Sequence, residues 1–457
     1  MNQTTTGNQE DHLARRVISA LPRSERAILT GLILLSVLAR LAVAVYMGDQ
    51  VTELPGIYDQ ISYNALAVRV LGGHGFSFDR DWWPITAANA PTAHWSFLYT
   101  YYLCAVYAIF GQHPLAARIL QAILVGILQP YLTYLLGRRL FTPPVGLIAA
   151  GLVAIYAYFI YYSGALMTEP FYIVAILSVL YLAIQISDQT DRLSQQRVLQ
   201  LVGLGLILGA AVLLRQLFLL FIPFLLAWMV WRSRKQNPQQ WILQLALPVI
   251  IVAAMILPFT AYNYSRFGQV VLLNTNAGYA FFWGNHPIYG TKFVGILPPE
   301  VGSYEGLIPT ELRSLDEAAL EKALMQRGLQ FVLDDPGRYL LLSFSRIPVY
   351  FQFWPSKESS LVSNISRVGS FGILWPFMLY GLALVPFSGY AKKPGHSAWM
   401  LMLFIGVYSL IHLLTWALIR YRLPVDAVLL IFAAYGLADL YRRFQTLRPT
   451  RQKADPT

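Results

Sequence analysis

The chain is divided into long apolar runs with almost no charge, and this feature constrains its fold most strongly. Examples are residues 27–46, 119–136, 145–162 and 399–418. A helix rises roughly 1.5 Å per residue, so about 20 apolar residues cross a hydrocarbon core of about 30 Å. Only 12% of the 457 residues are charged, against about 25% in soluble domains. The sequence therefore predicts an all-α polytopic membrane protein.

Basic residues give the chain a net charge of +11, but they lie mostly in short loops between the apolar runs. Such a distribution sets membrane orientation by the positive-inside rule. It does not form the continuous basic stripe expected of a nucleic-acid-binding face. We therefore expect the lipid bilayer, and not a nucleic acid, to be the partner of this charge.

Placing the basic loops on one side predicts about ten spans with both termini in the cytoplasm. The predicted spans are residues 28–47, 117–136, 145–163, 170–186, 198–214, 216–231, 241–260, 368–388, 397–418 and 423–440. The basic residues that fix this orientation are Arg15, Arg16, Arg23, Arg26, Arg138, Arg139, Arg192, Arg197, Arg232, Arg234, Lys235, Lys392, Lys393, Arg442, Arg443, Arg448, Arg451 and Lys453. The first apolar run has no clear cleavage site and is predicted to be a retained span in the inner, or cell, membrane.

Domain boundaries follow from these spans. Residues 1–27 form a cytoplasmic tail, and 28–260 form an N-terminal transmembrane module with an outer loop at 48–95. Residues 261–367 form a second outer loop, in which 316–333 has the pattern of an amphipathic helix. Residues 368–440 complete the transmembrane helices, and 441–457 form a basic tail. The short apolar stretches 96–110 and 338–354 are predicted to be interfacial or re-entrant.

Two carboxylates stand out at the outer ends of predicted helices. Asp59 begins a helical pattern just beyond the first span, and Tyr63 lies one turn later on the same side. Glu169 is an isolated acid at the junction of the third and fourth spans. An ionisable group beside apolar surroundings is costly, so it marks a candidate functional site. Helix capping by Asp59 and a favourable helix dipole at Glu169 are equally simple interpretations.

Three arginines on the same face oppose the positive-inside trend. Arg215 lies between two apolar runs, and Arg420 and Arg422 lie in a short gap before the last span. A guanidinium carries a fork of donors that suits a lipid phosphate. Snorkelling to ordinary phospholipid headgroups is the alternative for a single arginine. The Arg420 and Arg422 pair favours a phosphate site.

His94 and His286 are the outer-face imidazoles of interest, and neither has a partner at the spacing of a metal pair. Each is more typical of a hydrogen-bonding loop residue. A divalent metal ion remains possible, with His94 and Glu169 as its candidate ligands. The chain has no glycine-rich nucleotide loop, so a nucleotide-linked substrate has no support.

Several motifs together resemble the GT-C glycosyltransferases, in particular the group similar to dolichyl-phosphate-mannose protein mannosyltransferases, which includes bacterial aminoarabinose transferases. They occur in the family's order over most of residues 30–440. They are residues 59–67, Leu71-Gly72-Gly73-His74-Gly75-Phe76, Phe110-Gly111, Ala116-Ala117-Arg118, residues 137–141, Thr168-Glu169-Pro170, residues 263–268, Gly284-Asn285-His286-Pro287 and residues 420–424. Where many relatives have a second acid or a Pro-Pro pair, this chain has Gln60 and Ser96-Phe97.

The resemblance implies an inverting enzyme that transfers a sugar from a polyprenyl-phosphate donor at the extracytoplasmic face. The acceptor is a glycan, lipid or protein. The resemblance implies that Asp59 is the catalytic base, and Glu169 is predicted to assist it. The predicted substrate-binding residues are Tyr63, His94, Arg215, Asn285, His286, Arg420 and Arg422.

Three other functions are compatible with parts of this pattern. A transporter or flippase of lipid-linked sugars would also need arginines near the membrane, but it predicts inverted repeats, which we do not find. A transferase similar to the O-antigen ligases would have a large C-terminal outer loop with paired arginines and a catalytic histidine. A degenerate family member acting as a scaffold would be expected to lack Asp59.

Overall fold

The computed structural model describes residues 23–54, 58–189, 194–234, 238–298, 300–357, 359–387 and 397–447, and these are mainly helical. The helices are α1 (Arg23–Met47), α2 (Asp59–Leu71), α3 (Phe97–Phe110), α4 (Pro114–Leu140), α5 (Pro143–Ile155), α6 (Ala157–Gly164), α7 (Glu169–Asp188), α8 (Gln195–Leu214), α9 (Ile222–Ser233), α10 (Pro238–Phe267), α11 (Asn276–Asn285), α12 (Glu317–Asp334), α13 (Pro336–Tyr350), α14 (Leu361–Ser366), α15 (Ile373–Phe387), α16 (Ala398–Leu414) and α17 (Leu423–Leu447). Extended chain forms isolated bridges between Ser77 and Pro91 and between Trp82 and Thr86. The predicted all-α polytopic class is confirmed.

Helices occupy all ten predicted span positions, but fewer of them are long enough to cross a membrane. Within the described ranges eight pass by length and composition, or nine if the bent pair α5 and α6 forms one span. The predicted span at 397–418 corresponds to α16, whose 17 residues fall just short. The count of about ten is thus approximate. Arg15, Arg16, Arg192, Lys235, Lys392, Lys393 and the tail from residue 448 lie outside the described residues.

The two stretches predicted to be interfacial are short helices, α3 and α13. At 14 and 15 residues, each is too short to cross a core of about 30 Å. In α13 the apolar side chains Leu340, Leu341 and Phe344 are exposed while Arg346 is buried. The amphipathic helix predicted at 316–333 corresponds to α12 in the structure, where the Asp316 side chain accepts a hydrogen bond from the Ala319 amide at 2.8 Å.

The last helix, α17, lies at the centre of the bundle. Every residue from 423 to 436 is buried, as expected for a helix that is apolar all round. It packs against α5, α7 and α15. At Gly381 of α15, an added Cβ would collide with the Phe432 carbonyl oxygen, so the two helices cross at the close distance that small residues allow. The short turn that precedes α17 is thereby fixed in place.

The break between α5 and α6, a bend of 52°, leads the chain toward Glu169. Backbone carbonyls released by such a break need partners inside a membrane. Arg40 of α1 supplies them, donating to the Val153 and Ala154 carbonyl oxygens at 3.3 and 3.5 Å. Tyr156, at the break, donates its hydroxyl to Asp426 of α17 at 2.8 Å. Both contacts hold the broken helix against the bundle.

Basic helix ends gather at one end of the bundle around Asp188. Its carboxylate accepts from Arg139 and Arg232, each at 3.0 Å, and from the Ser397 hydroxyl at 3.0 Å. These residues belong to the loops that the positive-inside rule assigns to the cytoplasm. The structure therefore places their helix ends together, as the predicted topology requires.

Candidate active site

Asp59 is the first residue of α2, and its carboxylate is held from across the chain. Arg420, which lies 361 residues later, donates Nη1 to Asp59 Oδ2. Tyr58 occupies the N-cap position of α2, one residue before Asp59, which differs from the predicted capping role of Asp59. The two side chains are 20% and 15% exposed. Burial by itself raises the pKa of Asp59, but attraction to Arg420 and Arg215 outweighs burial and holds that pKa below its ordinary value.

Glu169 forms a second ion pair of the same kind. It begins α7 directly after Thr168 and is only 1% exposed. Arg215, at the end of α8, donates Nη2 to Glu169 Oε1 and Nε to Thr168 Oγ1 at 3.0 Å. Because Arg215 donates hydrogen bonds to both Glu169 and Thr168, its guanidinium has a fixed orientation.

Tyr421 brings the two ion pairs together. The guanidinium carbons of Arg215 and Arg420 lie 5.4 and 5.2 Å from the centroid of its ring, within range of cation–π attraction. His412 stacks on the same ring at 5.0 Å. Four predicted residues, from α2, α7, the end of α8 and the turn before α17, therefore meet around one tyrosine.

The Arg422 side chain points elsewhere, although only Tyr421 separates it from Arg420 in the sequence. Its side chain is fully buried and donates Nε to Asp426 Oδ1 at 2.8 Å and Nη1 to the Tyr350 carbonyl at 2.7 Å. Its guanidinium carbon lies 3.4 Å from the centroid of the Phe371 ring. These contacts join α17 to the end of α13 and to the turn before α15. The structure does not place Arg422 beside Arg420 in the cluster around Tyr421.

Tyr63 and His94 lie on the Asp59 side of this cluster. The Tyr63 hydroxyl accepts from the Ser96 amide at 3.3 Å, and its ring lies 5.5 Å from that of Trp95. His94 is only 7% exposed and lies among the rings of Trp83, Trp95 and Tyr279. Burial lowers the pKa of His94 to about 4, against the opposing effect of the Asp59 charge. The imidazole is therefore neutral near pH 7.

Asn285 and His286 are held within the second outer loop. The Asn285 side chain accepts from Arg346 Nη2 at 2.8 Å and donates to the Phe281 carbonyl at 3.0 Å. His286 Nδ1 accepts from the Ile288 amide at 3.2 Å, and its ring contacts Phe282 and Phe331. These contacts give both residues a structural role at the end of α11. Their predicted contact with substrate stays a prediction.

Gln60 occupies the position where relatives have a second acid, and its amide turns away from Asp59. It donates to the Thr52 carbonyl and accepts from Arg118 Nη2 at 3.1 Å. Among the described residues, no three His, Cys, Asp or Glu side chains are grouped so that they could hold a metal ion. Within the described ranges, His94 and Glu169 therefore do not belong to a group of three such side chains.

Sequence reasoning missed four residues that shape the site. Tyr421 lies between the predicted site residues Arg420 and Arg422, and Asp426 pairs with Arg422. The signal for Asp426 was present, because an acid inside an apolar helix requires a partner. Glu317 and Asn274 hold the His94 segment by hydrogen bonds, and no local pattern in the sequence indicates this.

A protein-family model matches part of the chain. The family model described as dolichyl-phosphate-mannose-protein mannosyltransferase matches residues 94–262. This range includes His94, Glu169 and Arg215 but not Asp59 or Arg420. No curated protein matches the chain significantly in sequence.

Solved structures share the fold at low sequence identity. The archaeal oligosaccharyltransferase AglB from Archaeoglobus fulgidus, in complex with an inhibitory peptide and a dolichol-phosphate, matches with a TM-score of 0.60 and 18% identity, over 95% of this chain and 53% of that one. An oligosaccharyltransferase from Archaeoglobus fulgidus in the apo form matches with a TM-score of 0.59 and 17% identity, over 92% of this chain and 52% of that one. ArnT from Cupriavidus metallidurans bound to undecaprenyl phosphate reaches a TM-score of only 0.41 at 16% identity, over 92% and 81%.

The chain spans about half the length of the oligosaccharyltransferases that it matches. The predicted resemblance to the GT-C glycosyltransferases is confirmed by the family model together with the shared fold. The shared fold agrees with a multi-pass membrane protein.

Proposed function

We propose that this chain of GT-C fold is a membrane glycosyltransferase that takes a sugar from a polyprenyl-phosphate donor and passes it, with inversion, to an acceptor hydroxyl. The meeting of two carboxylates and two guanidiniums around Tyr421 carries the proposal. Asp59 supplies a base, while Arg420 and Arg215 supply cations for a phosphate. AglB is described with a dolichol-phosphate, which is consistent with a lipid phosphate as donor for this chain.

In the proposed reaction Asp59 accepts the proton of the acceptor hydroxyl. The oxygen attacks the anomeric carbon, a new C–O bond forms, and the bond from that carbon to the phosphate oxygen breaks with its electron pair. The polyprenyl phosphate leaves with one more negative charge, which Arg420 and Arg215 stabilise. Preorganised donors aimed at developing charge are a major source of rate enhancement, and general-base assistance adds to it.

Inversion requires attack from the side of the sugar opposite the leaving phosphate. Asp59 and Arg420 are bonded directly to each other in the structure, so the sugar must enter between them. Entry of the donor therefore breaks this ion pair, because Arg420 turns to the phosphate and Asp59 becomes free to accept a proton. Glu169 keeps Arg215 in place and does not itself act as a base.

This assignment exchanges one predicted arginine for another. Arg215 and Arg420 share the Tyr421 ring, whereas Arg422 is neutralised by Asp426 in the bundle interior. We propose that Arg215 replaces Arg422 as the second phosphate ligand. The site lies at the end of the bundle opposite the basic helix ends around Asp188, and the positive-inside rule makes that end extracytoplasmic.

A deletion strain tests the activity directly. Envelope glycans, glycolipids and glycoproteins would be compared by mass spectrometry between the parent strain and the deletion strain. We expect one sugar-modified product to be missing, with return of the product on expression of the wild type but not of Asp59→Asn. Purified protein in nanodiscs would then transfer that sugar from a synthetic polyprenyl phosphate ester and release the lipid phosphate. Movement of the intact ester across a liposome membrane without bond cleavage would instead indicate a transporter.

A further inference from the structure

The backbone of residues 93–95 is fixed by an unusual number of side-chain hydrogen bonds. Asn274 donates Nδ2 to the carbonyls of Ala93 and Trp95 at 3.0 and 2.8 Å, and Asn276 donates Nδ2 to the His94 carbonyl at 3.2 Å. Glu317 accepts from the Ala93 amide at 2.7 Å. All three carbonyls and the first amide of the segment are thus engaged. The side chains of His94 and Trp95 are therefore attached to a backbone segment that is held in place.

The same clamp is tied to the phosphate side of the site. Gln216, the neighbour of Arg215, donates to the Asn274 carbonyl and accepts from the Asn274 amide, each at 3.0 Å. It also donates to the Asn276 side chain at 2.9 Å. Two halves of the proposed site, distant in sequence, therefore have a fixed separation.

Two polar atoms on this rigid segment have no partner. His94 Nδ1 and Trp95 Nε1 form no hydrogen bond with any described residue, although the side chains are only 7% and 6% exposed. A buried polar atom without a partner is unfavourable, and such atoms call for a specific explanation. Rigid support beneath unsatisfied groups is the arrangement expected of a preorganised ligand site.

These atoms lie next to the proposed base. Trp95 packs edge-on against Tyr63, with ring centroids 5.5 Å apart, and Tyr63 follows Asp59 by one helical turn. The Asp59 charge acts on His94. Trp83 and Tyr279 lie 5.7 and 5.3 Å from the His94 ring. The rings that surround His94 are thus those of Trp83, Trp95 and Tyr279, whereas Arg420 and Arg215 are paired with Asp59 and Glu169.

We infer that His94 and Trp95 form a subsite for the sugar ring of the donor, with His94 Nδ1 and Trp95 Nε1 bonded to its hydroxyls. This inference rests on the proposed function. An indole N–H only donates, and a neutral imidazole nitrogen either donates or accepts, which suits a ring with several hydroxyls. Neutral aromatic walls accept the C–H face of such a ring, whereas an acidic peptide or a second phosphate would require cations here.

Binding of matched lipids separates sugar recognition from phosphate recognition. The probes are farnesyl phosphate and its mannosyl, glucosyl and arabinosyl esters, and their dissociation constants would be measured with the full chain in nanodiscs. We expect Trp95→Phe, which keeps an aromatic ring and removes the N–H, to weaken binding of the preferred ester about tenfold. Its affinity for farnesyl phosphate should not change. His94→Phe, as a second variant, should have the same selective effect.

Trp228→Phe is the matched control, since Trp228 also has a buried indole nitrogen without a partner but lies in α9 one turn from Arg232. It should bind every probe as the wild type does. Equal losses for farnesyl phosphate and its esters in both His94→Phe and Trp95→Phe would show a structural role and overturn the subsite. A wild type that binds all esters no better than farnesyl phosphate would also overturn it. If the wild type binds no lipid phosphate at all, the proposed function itself fails.

Discussion

The two ends of the helix bundle both carry arginine–carboxylate pairs, but they hold them differently. Around Asp188, three side chains that are about 30% exposed form pairs at 3.0 Å. Around Tyr421, Glu169 is 1% exposed, and Asp59, Arg215 and Arg420 are each at most 20% exposed. Exposed pairs of the first kind contribute about 0–1 kcal/mol. Breaking a buried pair leaves a charge without a partner and costs several kcal/mol.

The same side-chain chemistry is therefore found in two different surroundings. At the Asp188 end, the pairs join helix ends and leave the charges in contact with water. At the Tyr421 end, the pairs keep four charges poised in a poorly solvated place, where electrostatic effects on a reacting group are large. Exchanging equivalent residues between the two ends tests this distinction.

Asp59→Asn should have the largest effect. It keeps the shape and removes the proposed base, so we expect transfer to fall on the order of 10²–10⁴-fold. Asp188→Asn removes a carboxylate of equal size at the other end and should leave turnover within about twofold. Initial rates of sugar transfer with folded, purified protein measure both. Comparable losses in the two variants would show that the Tyr421 end is not special.

Arg420→Lys and Arg215→Lys should rank next. Lysine keeps the charge but loses the planar fork that suits a phosphate, and loss of one preorganised donor costs on the order of 10²-fold in rate. The matched variant, Arg232→Lys, should have little effect on transfer.

Arg422→Ala distinguishes the two phosphate assignments, because we expect it to lower the unfolding temperature without raising the donor KM in the protein that remains folded. A raised donor KM would return Arg422 to the binding site.

The acid limb of the pH profile should give a smaller, directional effect. Because Arg420 and Arg215 hold the pKa of Asp59 below its ordinary value of about 3.9, the carboxylate stays charged as pH falls toward that value. Wild-type kcat/KM should therefore not decline through Asp59 between pH 8 and about pH 5. In Arg420→Gln the burial effect is less opposed, so the acid limb should move to higher pH. An unmoved limb would mean that Arg420 does not set this pKa.

The loss of unfolding free energy should be small when a carboxylate is removed at the Asp188 end and larger when the buried Asp426 is changed. Asp188→Asn breaks two partly exposed pairs, and we expect a loss of about 1 kcal/mol or less. Asp426→Asn leaves Arg422 buried beside a neutral amide, and the expected loss is about 3–5 kcal/mol. Thermal unfolding in the same detergent ranks the two. Equal shifts would show that Asp426 is not a buried structural anchor.

Much of the fold could be predicted because a membrane makes local rules strict. A run of apolar residues must be helical there, since its backbone groups have no water to bond. This is why helices stand at every predicted span position. The number of spans does not follow from composition alone, because α3 and α16 have the composition of spans and lack only the length.

The site could be predicted only as separate residues. Asp59, Glu169, Arg215 and Arg420 are each conspicuous as a polar residue at the edge of an apolar run. Their pairing depends on how helices cross, and Asp59 and Arg420 are 361 positions apart. Arg420 and Arg422 looked equivalent in sequence, but the turn before α17 sends one side chain to Asp59 and the other into the bundle.

The two matched pairs around Tyr421 have a consequence for turnover. Two carboxylates balance two guanidiniums, so before a donor binds the site carries little net charge and has little general attraction for anions. In the proposed reaction donor entry adds negative charge to this neutral site, and the transfer step moves one negative charge from Asp59, which takes up the acceptor proton, to the phosphate. Once the sugar has gone and Asp59 has released its proton, the Asp59 carboxylate competes with the phosphate for Arg420. Re-forming the Asp59–Arg420 pair then favours release of the phosphate and restores the contacts of the resting site.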